Sequence, residues 1–236
     1  DAGPEGAPLN ELAESVGVNK STAYRALSTL RLRGFASQDD ATGFYSMGPI
    51  AFELGDRAFS PANLAQSLHP GLVALSRAAD ELVHLGVMSG DQVLYVDKVE
   101  PERAIRVWSA VGQRVPIAST SMGRALLAAR NVSDQSLSGY LRDLPAPLSV
   151  SPERLRESVT EARACGYAIE HGENEPDVAC IGTAIMRGRS AVAAVSITAL
   201  AVRMTPARLH ELSRLMVSEL GPQLPRGLSL MPALTA

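Results

Sequence analysis

The stretch from Leu9 to Gly34 sets two short amphipathic blocks either side of one glycine, and this spacing constrains the chain more than any other feature. Leu9, Leu12, Ala13 and Val16 recur at helical spacing, which predicts a helix over residues 9–16. Gly17 follows, a residue able to take the left-handed backbone on which helices end. Ala23, Ala26, Leu27 and Leu30 line one side of a second helix, from Lys20 or Ser21 to Arg33. Asn19 or Ser21 is placed to cap it, and Gly34 to end it.

Two such helices joined by a tight turn form a helix-turn-helix, whose second helix enters the major groove of DNA. Asn19, Lys20, Ser21, Thr22, Tyr24 and Arg25 cluster where that helix begins. From Lys20 to Arg33 there are four cations (Lys20, Arg25, Arg31 and Arg33) and no acid. Arg25 is placed for a base or phosphate contact, and Lys20 for a phosphate. Tyr24 either reaches DNA or packs beside the wing. The alternative is an ordinary helical hairpin with a solvated polar face.

Charge tempers the DNA reading. The net charge is −3, and residues 1–60, with five Lys/Arg against eight Asp/Glu, carry all of it. Any affinity for DNA must come from a local patch, doubled by pairing of two chains. Residues 1–7 (DAGPEGA) are rich in Gly and Pro and predict no helix. A winged helix-turn-helix ordinarily has a helix there. The expectation is that this first helix is missing because the N-terminus is truncated; otherwise something else covers the apolar face of residues 9–33.

Downstream, residues 35–46 read as a hairpin around the turn Asp39–Gly43, the wing, with two acids at its tip. Residues 49–59 read as a helix opened by Pro49 and broken at Ser60-Pro61, resuming over residues 62–68. A further helix is predicted over residues 72–82. The period then changes to two, giving strands at 83–88 and 92–99 around Gly90-Asp91. A third strand is predicted at 104–111, a short extension at 115–117, helices at 121–129 and 133–142, and a loop at Pro145 and Pro147. Pro152 to Ala164 reads as a helix capped by Ser151 and closed by Gly166. Strands at 167–170, 178–186 and 191–199 and a helix at 206–220 complete the pattern, with residues 221–236 loose or packed on a partner. Strands and helices in runs, not in alternation, predict an α+β fold.

Chemical motifs are sparse. Cys165 and Cys180 suggest neither a disulfide framework nor a zinc cage. His69, His84 and His210 lack metal-ligand spacing, and His171-Gly-Glu173 lacks the downstream Cys pair of the zinc deaminases. Cys180 reads as an inert buried thiol before a redox sensor. No phosphate-binding loop or nucleophile elbow is present. The sequence therefore points to no cofactor, no metal and no catalytic residue. No secretory signal or membrane-length apolar run is visible, so the expected setting is cytoplasmic, without a membrane.

Several segments together resemble the IclR family of bacterial transcription regulators. LNELAESVGVNKSTAYRALSTLRLRGF is similar to the family's DNA-reading hairpin, and FYSMGPIAFELG to its wing exit and linker. HLGVMSGDQVLYVDKVE resembles its first effector-domain hairpin. GQRVPIASTSMGRALLA and GYAIEHGENEPDVACIGTAI resemble segments that usually read G-x-x-x-P-x-H-x-[ST]-x-x-G-K and E-x-x-x-G-V-x-C. The resemblance implies a winged helix-turn-helix over 1–48, a linker helix over 49–69, and a GAF-like antiparallel sheet flanked by helices over 70–236, for effector binding and oligomerisation. It also implies a dimer or tetramer that binds operator DNA as a repressor, and a small-molecule effector, often an organic or aromatic acid. By position, the effector residues would be Ser121, Met122, Gly123, Glu170, Cys180, Ser196 and Thr198. Unpaired N–H groups at the helix start near Ser121–Gly123 would suit an anion, and Ser196 and Thr198 would face one side of their strand.

Three departures stand out: Ala118 replaces the usual His, Arg124 the usual Lys, and Asp177 the usual Gly. Anionic Asp177 and Glu170 near a pocket argue against assuming a small carboxylate effector. Two rival readings remain at this level: a sensing or interaction module that does not bind DNA, and an enzyme built on the α+β domain.

Overall fold

The computed structural model describes residues 5–103, 107–142, 144 and 150–234. The described residues fall into two compact units that divide between Asn63 and Leu64.

In the first unit, α1 (Leu9–Ser15) and α2 (Lys20–Leu32) form the helical hairpin. Gly17 turns the chain at φ +68°, and the Asn19 side chain accepts the Thr22 N–H at 2.8 Å, capping α2. Strands β1 (Ala36–Gln38) and β2 (Tyr45–Met47) form the antiparallel wing. Asp39 holds its turn by accepting the Ala41 and Thr42 N–H groups and the Thr42 hydroxyl. Ala7 adds a bridge on the other side of Tyr45, donating at 2.9 Å and accepting at 2.8 Å. Helix α3 (Pro49–Ala58) follows.

Burial within this unit is thinner than the periodicity predicts. Ala13 and Ala23 are buried, but Val16 is 69% exposed, Leu30 43% and Ala26 is also exposed. Two short helices and a small wing enclose little volume, so only the smallest residues at the helix crossing lose their water.

Helix α4 (Pro61–Ala79) runs without a break through Pro70, which lies on its exposed side. The expected boundary between a linker and a separate helix at 72–82 is therefore absent. Leu82 is not helical but opens β3. Leu68, Leu72 and Leu75 of α4 are fully buried, each stabilising the fold by about 2 kcal/mol relative to exposure.

The second unit is built on one antiparallel sheet in the order β5-β4-β3-β8-β7-β6. Its strands are β3 (Leu82–Ser89), β4 (Gln92–Val99), β5 (Arg114–Pro116), β6 (Ala168–His171), β7 (Val178–Arg187) and β8 (Ser190–Leu200). The third strand expected at 104–111 is displaced. Residues 104–106 lie outside the described residues, 107–110 are not strand, and it is Arg114–Pro116 that pairs with β4. The loop expected at Pro145 and Pro147 also lies outside the described residues.

Helices α5 (Ser121–Ala129) and α7 (Pro152–Cys165) pack together on one face of the sheet. Helix α6 (Asp134–Leu137) tightens at once into a 3-10 turn, so the single helix expected at 133–142 does not form. Helix α8 (Pro206–Leu215) loosens into a π-helical turn over Met216–Leu220. The tail is not loose: β9 (Leu228–Leu230) pairs with β7 at Ile185–Arg187. A bidentate pair, Arg203 to the buried Glu81 at 2.8 and 2.7 Å, ties the chain after β8 to the start of β3.

Candidate DNA-reading helix and effector site

In the first unit, Asn19, Lys20, Ser21, Thr22, Tyr24 and Arg25 are all exposed along the start of α2, around the buried Ala23. Asn19 is spent on the cap. Later on the helix, Arg31 donates to Gln38 of the wing at 2.5 Å, which ties that side chain to β1 while leaving its charge in place. The wing tip presents Asp39 with its carboxyl held below the usual range by the backbone and hydroxyl of Thr42. An anionic tip is ill placed to seat on phosphate, so the exposed cations of this region are those of α2 and its C-cap, Lys20 and Arg25 early and Arg31 and Arg33 late.

In the second unit, strand register gathers a buried polar cluster under the start of α5. Pairing sets Cys180 opposite both Thr198 and Glu170, and Ser196 opposite both Gly182 and His84, so all of them share one face of the sheet. Ser121, Met122, Glu170, Ser196 and Thr198 are each buried to 4% exposure or less. Cys180 is partly buried, 3.3 Å from the Thr198 hydroxyl. Burial and the neighbouring Glu170 push its thiol well above the ordinary range, so it is a poor nucleophile.

Three further residues complete the cluster. The Thr198 hydroxyl lies 3.3 Å from His84 Nδ1, and His84 Nε2 lies 2.8 Å from the Ser109 hydroxyl. Tyr95 stacks on His84 with ring centres 4.5 Å apart. Burial and the positive charge of Lys98 depress the His84 pKa to about 3, so the ring is neutral at pH 7. One of its nitrogens then donates and the other accepts. Sequence reasoning set His84 aside for lack of metal spacing. The signal that finds it is its inward position on an alternating strand, in register with Ser196.

Glu170 accepts the N–H groups of Glu173 and Asn174 at 2.6 and 3.0 Å, which closes the turn before β7. Burial raises its pKa, against those bonds and Arg124, which lower it. Asp177 is exposed and takes φ +63°. The usual glycine is replaced by one of the few side chains that tolerate this backbone, so its effect lies in the turn and its charge is solvated.

Gly123 is not a free donor. Its N–H donates to the capping Thr120 hydroxyl at 3.1 Å. Its lack of a side chain lets the helix start pack on Ile117, since a Cβ there would stand 1.9 Å from the Ile117 carbonyl oxygen. Ala118 and Arg124, the other two departures, are linked: Arg124 is fully buried and its Nε donates to the Ala118 carbonyl at 2.9 Å. Arg124 Nη1 also donates to Glu173 at 2.6 Å, and Arg154 binds the same carboxylate at 3.2 Å. Among the described residues no cluster of three His, Cys, Asp or Glu is placed to hold a metal, and no helix is long and apolar enough to cross a membrane.

A winged helix-turn-helix followed by an α+β unit enclosing a polar cluster defines a DNA-binding regulator with an effector domain. Residues 57–219 match the model of the bacterial transcriptional regulator IclR C-terminal region, and residues 1–40 match the IclR helix-turn-helix domain. The chain belongs to the IclR family of transcriptional regulators. It is 32% identical over 208 residues to the regulator KdgR of Escherichia coli, covering 86% of this chain and 79% of that one. The Thermotoga maritima IclR structure aligns with a TM-score of 0.61 and 28% identity, over 92% of this chain and 89% of that one. An IclR homologue from Microbacterium hydrocarbonoxydans, solved with 4-hydroxybenzoate, has the same fold, with a TM-score of 0.57 and 22% identity over 91% of each chain.

Proposed function

We propose that residues 1–48 bind operator DNA through Asn19, Lys20, Ser21, Thr22, Tyr24 and Arg25, that 49–69 form the linker, and that 70–236 bind effector and self-associate. The observation that carries the DNA half is the exposure of Lys20 and Arg25 on the first turns of α2. With a net charge of −3 on the whole chain, one reading helix is weakly attracted to DNA. A homodimer or dimer of dimers joins two or more helices, and effective concentration then raises affinity. Occupancy of the operator makes the protein a repressor in the simplest case. The setting is the cytoplasm.

The effector site is the cluster of Ser121, Met122, Gly123, Glu170, Cys180, Ser196 and Thr198, extended by His84, Tyr95 and Ser109. Neutral hydroxyls and a neutral imidazole suit a small polar organic molecule. An organic or aromatic acid, as in the Microbacterium homologue solved with 4-hydroxybenzoate, is one class to test, with the buried Glu170 weighing against it. Effector binding acts on DNA affinity only if it favours one arrangement of the paired reading helices over another.

A role for His84 as a catalytic base is disfavoured. The ring sits between two hydroxyls, as a catalytic base would, yet a pKa of about 3 leaves it too weak to take a proton near pH 7. Mobility shift on promoter fragments tests the proposal. Thr198→Val should leave DNA affinity without effector unchanged and abolish the effector response. DNA binding that is insensitive to salt, or absent at every promoter of the neighbouring genes, overturns the DNA half.

A further inference from the structure

We propose that the second unit holds a second ligand site, for an organic carboxylate with an apolar body, in the cleft at the C-terminal end of α5. This cleft has a volume of about 690 Å³. Arg130, Arg163 and Arg189 line it, over a floor that includes the buried Met186 and Met231, and the exposed Leu234 also lines it. No acidic side chain lies among its lining residues, so the three arginine charges have no counter-charge within the lining.

The arginines have donors to spare. Arg163 donates through Nη2 to the Val132 carbonyl at 2.6 Å, but its Nε is buried with no partner among the described residues. A buried donor left so is costly, so the Arg163 head group is held at some expense beside the cleft. Arg130 makes one described contact, to the Met88 sulfur, a weak acceptor. Arg189 is exposed at the tip of the β7–β8 turn.

An ordinary explanation is that these cations serve the negative end of the α5 dipole. That end is equivalent to about half a charge, against three full charges here. Its last carbonyls are also already taken: Leu126, Leu127 and Ala128 accept from the backbone of Arg130, Val132 and Asn131. The guanidinium forks match a carboxylate, and the methionine floor matches an apolar body. The effector cluster lies at the other end of α5, whose nine residues span about 12 Å, so the two sites are separate.

Isothermal titration of the full chain with benzoate, hexanoate and phenyl phosphate tests this, with benzyl alcohol as the uncharged probe. A carboxylate should bind at least about ten-fold more weakly to Arg130→Glu/Arg189→Glu, both exposed positions, while the thermal midpoint holds. Arg163→Lys, which keeps the charge and loses the planar fork, should weaken it as well. Thr198→Val should leave this event intact, which separates it from the effector cluster. Equal binding by wild type and the double variant, binding by benzyl alcohol alone, or no binding by either carboxylate overturns the proposal. Stronger binding of phenyl phosphate than of both carboxylates, lost in the double variant, overturns the assigned ligand class.

Discussion

Arg124 Nη1 donates to Glu173 Oε2 at 2.6 Å, and the arginine side chain carrying that bond has no exposed surface. The pair fastens α5 to the turn that Glu170 closes, and so holds together two walls of the effector cluster. Breaking it by removing the carboxylate strands a buried cation.

Glu173→Gln should therefore destabilise the second unit by about 3 kcal/mol near pH 7. Burial works to raise the Glu173 pKa, but Arg124 and Arg154 outweigh it and the net shift is downward. A depressed carboxylate stabilises above its unfolded pKa, about 4.3, and loses that contribution as pH falls through the folded value. The difference between wild type and variant in urea melts should shrink below about pH 4.

His84 gives a pH dependence in a different window. Its folded pKa of about 3 lies below the unfolded value near 6.5. The unfolded chain binds the extra proton between these values, so stability is complete above pH 6.5 and declines as pH falls toward 3. The slope is at most about 1.4 kcal/mol per pH unit for one proton. His84→Gln should flatten that part of the profile of denaturation midpoint against pH.

Gly123→Ala should cost about 3 kcal/mol or more. The added Cβ would meet backbone, the Ile117 carbonyl oxygen at 1.9 Å, and no flexible side chain is there to yield. The denaturation midpoint should drop, whereas Ala125→Gly on the same buried helix should cost only about 1 kcal/mol from propensity and a further methyl's worth of packing.

Arg25→Ala should weaken operator binding by about ten-fold or more and relax sequence preference if the side chain reads a base. Lys20→Ala should weaken all sequences alike and reduce the slope of log affinity against log salt by about one per reading helix. Titration at several salt concentrations distinguishes the two roles.

Much of the local structure was legible. Ser151, Pro152 and Gly166 mark both ends of α7, and Asn19 marks the start of α2, because caps satisfy backbone groups with nearby side chains. The edges were legible only in part. The extension read at 115–117 overlaps Arg114–Pro116, and the strand read at 167–170 overlaps β6, but Leu228–Leu230 is three residues long, too short to show a period, and it exists because β7 offers it a ladder. The continuity of α4 through Pro70 was hidden as well, since its buried leucines outweigh one lost hydrogen bond.

The effector cluster divides in the same way. The resemblance pointed to Ser121, Glu170, Cys180, Ser196 and Thr198 but said nothing of His84, Tyr95 or Ser109. The sequence by itself determined the type and order of most elements, because periodicity, caps and turns act over a few residues. Only the tertiary structure decided which polar groups meet: Thr198 reaches His84 across 114 positions of chain, and Arg124 reaches Glu173 across 49. Those meetings follow from strand register and helix docking, where a slip of one residue turns every side chain to the other face.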